Sequence, residues 1–343
     1  MIKLTYIVCV YNSAATIIRT LESIYHQPIS EDEFEVIVVD DCSPDNSSEL
    51  VANFAVGHTN LHLVRQKQNH RVGTSMNLGI RMAKGEYIQV VDGDDVVGDG
   101  IIDTLNQCLA QKVDISINTS QYEAADGSLR PMPVPTDMTF PMSATDFCEK
   151  VLTDDPIFGG TQFYMWRREF LLEVNHPFVE DLKMEDTDWI EYHLFKAKTI
   201  GCSRHMTYTY LYNENSQLHL MSVTTTADSI LQSYRRLEGC KLYCATLPHF
   251  VSVITYASHC RIASSLRYRN LSKFWGSDFL TLYNRIGDDV RKELSQYDYP
   301  RLARMFLRHK YISLIFLWST VWTAHIGRYI VRSIRKIRKR KHQ

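Results

Sequence analysis

The sequence predicts an α/β fold with a mostly parallel sheet, followed by a helical C-terminal region and a basic amphipathic terminal helix. Three observations support this prediction. Short apolar runs alternate with helical patterns through the first hundred residues, polar clusters follow three of those runs, and apolar residues recur every three or four positions beyond Asp228. Strands that alternate with helices form parallel sheets with right-handed crossovers. The 343 residues suffice for one large domain or two smaller ones.

The predicted strands are short apolar runs bounded by polar residues. They cover residues 4–10, 34–39, 61–64 and 86–91. Apolar residues at helical spacing predict helices over 14–27 and 73–82. Because the carboxyl ends of parallel strands meet at one edge of the sheet, and ligands bind outside that edge, polar residues just after these strands are candidate ligand-binding residues.

An acidic turn, Asp92-Gly93-Asp94-Asp95, directly follows the fourth predicted strand. Its three carboxylates repel one another unless a positive group lies between them. A divalent cation is the usual solution, and hard oxygen ligands suit Mg²⁺ or Mn²⁺. A solvated turn without a ligand accounts for the same residues equally well. The turn alone therefore leaves both interpretations open.

Two further polar clusters favour a ligand site. Tyr11-Asn12 follows the first predicted strand, and Asp40-Asp41 follows the second. Together with the acidic turn, they put three polar clusters at one edge of the predicted sheet. The sequence therefore predicts a ligand-binding site at that edge.

Charge and cysteine content limit the class of protein. The formal net charge is −1, which gives no general argument for nucleic-acid binding. Eight cysteines occur without a CxxC pair or a His-rich partner motif, so we expect reduced thiols in a cytoplasmic protein rather than zinc sites or disulfides. The first predicted strand begins close to Met1, so we expect no signal peptide.

These segments resemble family 2 glycosyltransferases of the GT-A fold, the inverting type that uses nucleotide-diphosphate sugars. The matching segments are residues 7–12, 38–43, 83–88 and 92–95, and their order and spacing are those of the family. A second match comprises residues 184–189, 208–210 and Ser216. The resemblance implies a Rossmann-like αβα sandwich over residues 1–227. Within it, residues 1–105 would bind the nucleotide sugar and 106–227 would supply the acceptor side and the catalytic base.

The resemblance also implies a role for each matching residue. The residues expected to bind the nucleotide sugar are Val10, Tyr11, Asn12, Asp41, Arg71, Asp92, Gly93 and Asp94. Tyr11 is expected to pack against the base. Asp41 is expected to accept a hydrogen bond from the ring N–H, which favours uracil because a carboxylate accepts but does not donate. Asp94 and Asp92 are expected to hold Mn²⁺ or Mg²⁺ against the diphosphate, and Asp95 to hold a metal-bound water or to orient the turn.

Asp186 is the catalytic base that the resemblance implies, and Glu185 would position it or contact the acceptor. Asp186 would take the proton of the acceptor hydroxyl as that oxygen attacks the anomeric carbon, so an α-linked donor would give a β-linked product. A second interpretation is a capped surface helix, because the helix dipole stabilises acidic residues near a helix N-terminus. Asp188 lies two residues further along the same helix and is not expected to take part in catalysis.

The sequence departs from the family pattern in two regions. Arg71 stands where many relatives have glycine and Met76 where they have arginine, so Arg71 is the candidate to replace the missing phosphate contact. Leu211 and Tyr212 lie in a region where relatives often carry arginine or histidine before the serine. His205 and His219 are the nearby candidates for that role, although each is more often an ordinary surface or packing histidine.

The remaining sequence supplies the acceptor side and the C-terminal region. Tyr164 and Trp166 could stack on a sugar, but core packing is the default expectation for both. Residues 228–310 are predicted to be helical. Residues 311–343 are predicted to form a basic amphipathic helix, which either lies on an anionic membrane surface or packs on the body of the protein.

The sequence as a whole predicts a metal-dependent, inverting glycosyltransferase of the hexosyltransferase type. We expect a peripheral protein on the inner face of the cell membrane, acting on a glycan or lipid-linked acceptor in surface polysaccharide biosynthesis. A sugar nucleotidyltransferase would need a Gly-rich basic loop after the first strand, and a dinucleotide-dependent oxidoreductase a GxGxxG motif; Tyr11-Asn12-Ser13 stands there instead. A catalytically degenerate nucleotide-sugar-binding or scaffold protein of the same fold is the alternative.

Overall fold

The computed structural model describes residues 1–132, 139–150, 160–178, 180 and 186–213. The chain divides into two compact units, Met1–Leu220 and Met221–Gln343. Several expectations lie outside the described residues. They concern Glu185, Ser216, His219, the helical region 228–310 and the basic segment 311–343.

The described residues form strands and helices that alternate through the N-terminal half. The strands are β1 (Leu4–Val10), β2 (Phe34–Asp40), β3 (Leu61–Arg65), β4 (Tyr87–Asp92), β5 (Val96–Val97), β6 (Ile115–Glu123), β7 (Leu129–Pro131), β8 (Tyr164–Arg167) and β9 (Ile200–Tyr210). The helices are α1 (Ile17–Tyr25), α2 (Ser47–Ala55), α3 (Arg71–Met82), α4 (Ile101–Gln111), α5 (Ala144–Lys150), α6 (Arg168–Val174) and α7 (Asp186–Lys196), with a 3₁₀ turn at Thr161–Phe163.

One sheet contains all of these strands. Its order is β3-β2-β1-β4-β8-β6-β9-β5, and β7 pairs with β6 beside this path. The first four strands are mutually parallel, as the sequence predicts. The rest of the sheet is mixed, because β8 runs antiparallel to both β4 and β6 whereas β6 and β9 are parallel.

The central strands form because their sequences are apolar on both faces. Every residue of β1 and of β2 is buried, including the polar Thr5 and Glu35. Such continuous burial is typical of parallel strands that are covered by helices on both sides. Tyr164 and Trp166 of β8 are also buried, at 1% and 0% exposure, so the core-packing interpretation of both is confirmed.

The helix bounds differ from the sequence prediction in ways that hydrogen bonding explains. The predicted helix 14–27 begins only at Ile17, because the preceding turn is held elsewhere: the Ser13 N–H donates to Ser47 Oγ at 2.9 Å and the Ala14 N–H to Asp45 Oδ2 at 3.0 Å. Helix α2 was not predicted. Among its residues only Ser47 and Val51 are buried, which leaves too weak an apolar pattern to recognise.

The turn before β4 packs directly on the backbone of β1. The Lys84 N–H donates to the buried Glu35 Oε1, which also accepts from the Thr5 hydroxyl at 2.7 Å. The Gly85 N–H donates to Thr5 Oγ1 at 2.9 Å. A Cβ at Gly85 would lie 2.5 Å from the Thr5 nitrogen, so only glycine allows this approach.

We therefore expect Gly85→Ala to destabilise the domain by about 1–3 kcal/mol, because backbone atoms cannot move aside as the end of a side chain can. Gly57→Ala is the matched control, since a Cβ there would meet nothing within 4 Å. Its effect should stay within about 0.5 kcal/mol. Urea denaturation followed by circular dichroism measures both. Equal midpoints for the two variants would contradict the proposed close approach.

Candidate active site

The structure brings the predicted polar clusters to one edge of the sheet. In the strand register Val10 lies beside Asp40, and Cys9 lies beside Asp92. The Asp41 N–H donates to the Val10 carbonyl at 2.8 Å, which continues the β1–β2 pairing past the end of β2. The carboxyl ends of β1, β2 and β4 are therefore neighbours, as the prediction of a common site requires.

Asp41 is held in place by the loop before α3. Its Oδ1 accepts hydrogen bonds from Gln66 Nε2 and from the His70 N–H, both at 2.8 Å. The side chain is almost fully buried, and burial raises the pKa of the Asp41 carboxyl although the amides of His70 and Arg71 act in the opposite direction. Gln66 had no role in the sequence prediction; its partner is 25 residues away, beyond the reach of local patterns.

Tyr11 and Asn12 follow β1 at the same edge. The Tyr11 side chain is 47% exposed, which is uncommon for a large ring immediately beyond a buried strand. Asn12 has a positive φ of 56°, and its N–H donates to Ser43 Oγ at 3.1 Å. The exposed ring is thus available to a ligand, whereas the backbone beneath it is fixed.

The backbone of the acidic turn is bound by one face of α1. Thr16 Oγ1 donates to the Gly93 carbonyl at 2.8 Å, Arg19 to the Asp94 carbonyl at 3.0 Å, and Thr20 Oγ1 to the Asp95 carbonyl at 2.8 Å. Residues 16, 19 and 20 lie on the same side of a helix. Three successive carbonyls of the turn are therefore fixed by a single element.

Asp95 connects the acidic turn to the end of β9. This residue is fully buried; its Oδ2 accepts from the Tyr208 hydroxyl at 2.7 Å and its Oδ1 from the Leu211 N–H at 2.9 Å. The Tyr208 oxygen also accepts the N–H of Asp92 at 3.0 Å. Of the two roles that the sequence left open for Asp95, the structure supports orientation of the turn.

Asp92 and Asp94 are the remaining carboxylates of the turn. Burial and the carboxylates of Asp94 and Asp186 raise the pKa of Asp92 to about 7. Asp94 Oδ2 accepts a hydrogen bond from Asn213 Nδ2 at 2.9 Å. The influence of Asp186 on Asp92 means that the first residue of α7 lies at the same edge as the acidic turn.

The carboxylate pair suits a cation that is shared with a phosphate ligand. In the described part of the chain, no group of three or more His, Cys, Asp or Glu side chains forms a metal cage. Mg²⁺ commonly uses only one or two carboxylates and takes its other ligands from substrate phosphates and water. Burial and, after it, the neighbouring carboxylates raise the pKa of Asp92, and a cation would relieve both effects, so the donor set of Asp92 and Asp94 fits such a cation.

The N-terminal part of the chain matches a known protein family. Residues 5–171 match the family model described as Glycosyl transferase family 2. These residues form a family 2 glycosyltransferase domain. The resemblance to this family that the motifs between residues 7 and 95 carry is therefore confirmed.

Parts of the chain are similar to named bacterial proteins. The chain is 32% identical over 151 residues to the glycosyltransferase GlyG of Streptococcus pneumoniae serotype 4, covering 43% of this chain and 46% of that protein. It is 37% identical over 128 residues to the succinoglycan biosynthesis protein ExoO of Rhizobium meliloti, covering 37% and 36%. The matched segments thus span less than half the length of both relatives.

Solved structures identify the fold. The crystal structure of Staphylococcus aureus TarS 1-349 in complex with UDP-GlcNAc superposes with a TM-score of 0.68 at 19% identity, covering 95% of this chain and 92% of that chain. The mannosyltransferase PcManGT of Pyrobaculum calidifontis, in complex with GDP-Man and Mn²⁺, gives 0.55 at 17% identity, covering 91% and 86%. These likenesses confirm the predicted GT-A fold.

The first residue of α7 is positioned by a chain of packed residues. Asn77 of α3 exchanges two hydrogen bonds with the Phe178 backbone, at 2.9 and 2.8 Å. The Phe178 ring stacks on Trp189 with centroids 4.2 Å apart, and Trp189 Nε1 donates to the His176 carbonyl at 2.8 Å. The sequence prediction missed this link between α3 and the helix that begins at Asp186.

The departures from the family pattern have distinct structural settings. Arg71 begins α3 with a φ of 69°, a left-handed conformation that glycine adopts without strain. Met76 is buried, with the Thr161 hydroxyl 3.6 Å from its sulfur, so it offers nothing to a phosphate. His205 is a half-exposed residue 3.6 Å from Asp103, in agreement with the surface interpretation.

Two findings concern the wider chain. Among the described residues, Cys9, Cys42, Cys108 and Cys202 form no disulfide bond. Within the residues that the structure describes, no helix combines the length and the apolar character needed to span a membrane.

The anchor of α7 should make the domain sensitive to acid. His193 is buried among aromatic rings with Nδ1 2.8 Å from the Trp189 carbonyl, and burial lowers its pKa to about 3, with the nearby His176 acting in the same direction. The unfolded chain protonates this histidine near pH 6.5. The contribution of neutral, buried His193 to the free energy of unfolding is therefore fully present above that pH and decreases as the pH falls. The expected loss from His193 between pH 7 and pH 5 is about 2 kcal/mol.

Urea denaturation at pH 7 and pH 5 tests this expectation. His193→Phe keeps a ring in the pocket and should show a smaller decrease between the two pH values than the unsubstituted protein. His205→Gln is the control, since that side chain is half-exposed and should leave the pH dependence unchanged. An identical decrease in all three proteins would contradict a neutral, buried His193.

Proposed function

We propose that this protein is a metal-dependent, inverting glycosyltransferase that moves a sugar from a UDP-sugar to a hydroxyl of a glycan or lipid-linked acceptor. The observation that carries the proposal is the approach of Asp186 to Asp92 of the acidic turn, at the carboxyl edge of the sheet. Named relatives supply context: ExoO is a succinoglycan biosynthesis protein, and a 34% identical segment of 97 residues belongs to a poly(ribitol-phosphate) beta-glucosyltransferase of Bacillus spizizenii.

The proposed donor site lies along the ends of β1 and β2. The exposed ring of Tyr11 would pack against the uracil base, with Val10 and Asn12 beside it. Asp41 would accept the ring N–H through Oδ2, because its Oδ1 is already engaged by Gln66 and His70. The UDP-GlcNAc found in the complex of Staphylococcus aureus TarS supports a uridine carrier over a guanosine one, although GDP-Man accompanies PcManGT.

The proposed diphosphate site combines Arg71 with the acidic turn. Asp92 and Asp94 would hold Mn²⁺ or Mg²⁺, which when bound neutralises the diphosphate and its developing charge as it leaves. The close approach of Gly93 to β1, where a Cβ would lie 3.0 Å from the Cys9 carbonyl, keeps the turn against the strand. Arg71 would supply the cationic contact that Met76 does not.

Asp186 is the proposed general base. It would take the proton of the acceptor hydroxyl as that oxygen attacks the anomeric carbon from the face opposite the nucleotide. Such a single displacement inverts the configuration of the anomeric carbon. A positioned base contributes about 10²–10⁴-fold to the rate. Glu185 precedes it in the sequence and is proposed to assist in acceptor binding, and the basic segment 311–343 is proposed to bind an anionic membrane surface.

A pair of variants tests the division between binding and catalysis. Asp94→Ala should abolish the Mn²⁺-dependent binding of UDP, as measured by calorimetry with Mn²⁺ and with EDTA. Asp186→Asn should retain that binding but lower the hydrolysis or transfer rate of UDP-sugars by about 10²–10⁴-fold.

Asp103→Asn, at an exposed carboxylate of α4, is the control for both measurements. Binding of UDP without turnover in the unsubstituted protein, across a panel of UDP-sugars and acceptors, would instead favour a degenerate nucleotide-sugar-binding protein.

A second prediction concerns Arg71. Arg71→Gly removes a left-handed non-glycine residue, which costs about 1–2 kcal/mol, so the stability of the fold should be unchanged or raised. The same variant should weaken UDP binding about 10–100-fold, because a charged hydrogen bond to phosphate is lost. Lys112→Gly relieves the same kind of strain at a φ of 52° on the end of α4 and should leave UDP binding unchanged. Unaltered UDP binding in Arg71→Gly would exclude the diphosphate role.

A further inference from the structure

We propose that Asn213 positions Asp94 for cation binding, an inference that rests on the proposed function because it takes Asp94 as a cation ligand. The Asn213 amide donates to Asp94 Oδ2 at 2.9 Å. Within the described residues, Asp94 Oδ1 forms no hydrogen bond. A carboxylate that is held at one oxygen presents the other in a fixed direction, which is the usual arrangement around metal-binding carboxylates.

Asn213 is itself placed by the segment that leaves β9, residues 211–213, which we call the strap. Its first residue donates its N–H to Asp95 Oδ1 at 2.9 Å, and the Tyr212 N–H donates to Glu123 Oε2 at 3.2 Å. Two successive backbone bonds thus fix the chain just before Asn213. The amide therefore reaches Asp94 from an anchored segment and not from a chain that adapts to it.

The main chain of Asp94 is held by a second element, α1. Its carbonyl accepts from Arg19 at 3.0 Å while its carboxylate accepts from Asn213. The main chain and the side chain of Asp94 are thus fixed by two different elements. Because rotation of the side chain is already restricted, a cation would not have to supply the free energy of ordering Asp94.

The Asn213 side chain is a neutral amide, so it can position Asp94 without competing with a cation for the negative charge. A lysine or arginine at this position would neutralise Asp94 and oppose a cation, whereas an amide orients the carboxylate and leaves its charge. A carboxylate also has about four lone-pair sites, so one N–H donor does not exhaust it. If Asn213 merely occupied the place of the cation, its removal would strengthen cation binding; if it positions Asp94, its removal weakens it.

Replacing Asn213 either weakens or strengthens cation-dependent binding, and the direction of that change decides between the two roles. In the full chain, calorimetry of UDP binding across a Mn²⁺ series should give a Mn²⁺-dependent affinity that is about 10–100-fold weaker in Asn213→Ala than in the unsubstituted protein. The isosteric Asn213→Leu should show the same loss. Asn213→Gln keeps the donor and should recover part of it, a rescue that a general packing role would not produce.

Controls separate this role from stability and from the proposed function. Asn106→Ala, at an exposed position of α4, should bind as the unsubstituted protein does, and the residual UDP affinity in EDTA should be equal in all variants. Equal or tighter Mn²⁺-dependent binding in Asn213→Ala and Asn213→Leu would overturn the inference alone. Absence of Mn²⁺-dependent UDP binding in the unsubstituted protein would overturn the proposed function and the inference with it.

Discussion

Repulsion among carboxylates at one edge of the sheet is the constraint on which the site depends. Burial, together with the charges of Asp94 and Asp186, raises the pKa of Asp92, so the free protein holds these groups together against both desolvation and their mutual repulsion. The hydrogen bonds from α1 to the turn and from Tyr208 to Asp95 oppose that repulsion. They keep the negative charge concentrated where a cation would relieve it.

Backbone strain is concentrated at the same edge. In the described part of the chain, five non-glycine residues have positive φ, and three of them, Asn12, Cys42 and Arg71, lie just after β1, just after β2 and at the start of α3. Such residues persist only where their surroundings determine them. Here the fully buried strands β1 and β2 supply the rigid base, so the stability of the core supports an edge that would otherwise relax.

The sequence predicted the strands, whose signal is local, but it did not predict hydrogen bonds between residues that are far apart in the chain. Apolar runs located β1 to β4 within one residue at each end. The signal is strongest for β1 and β2, because strands buried on both faces need no partner to be recognised. The role of Asp95 stayed open because its partner Tyr208 lies 113 residues away, and Asn213 went unnoticed because 119 residues separate it from Asp94. Carboxylates in one turn look alike in sequence; only the distant donors distinguish the anchoring Asp95 from the others.

The proposed donor ligands and the proposed base depend on different elements. The proposed donor ligands lie at the ends of parallel strands and on α3, whereas Asp186 begins α7, which is fixed by Trp189, Phe178 and Asn77. Asn77 sits on α3, the helix that Arg71 begins, so one rigid helix spans from the proposed diphosphate contact to the support of the proposed base. Since an in-line displacement requires base and leaving group on opposite faces of the sugar, their separation must be fixed. A helix that is shared between the two supports would fix that separation in the proposed reaction.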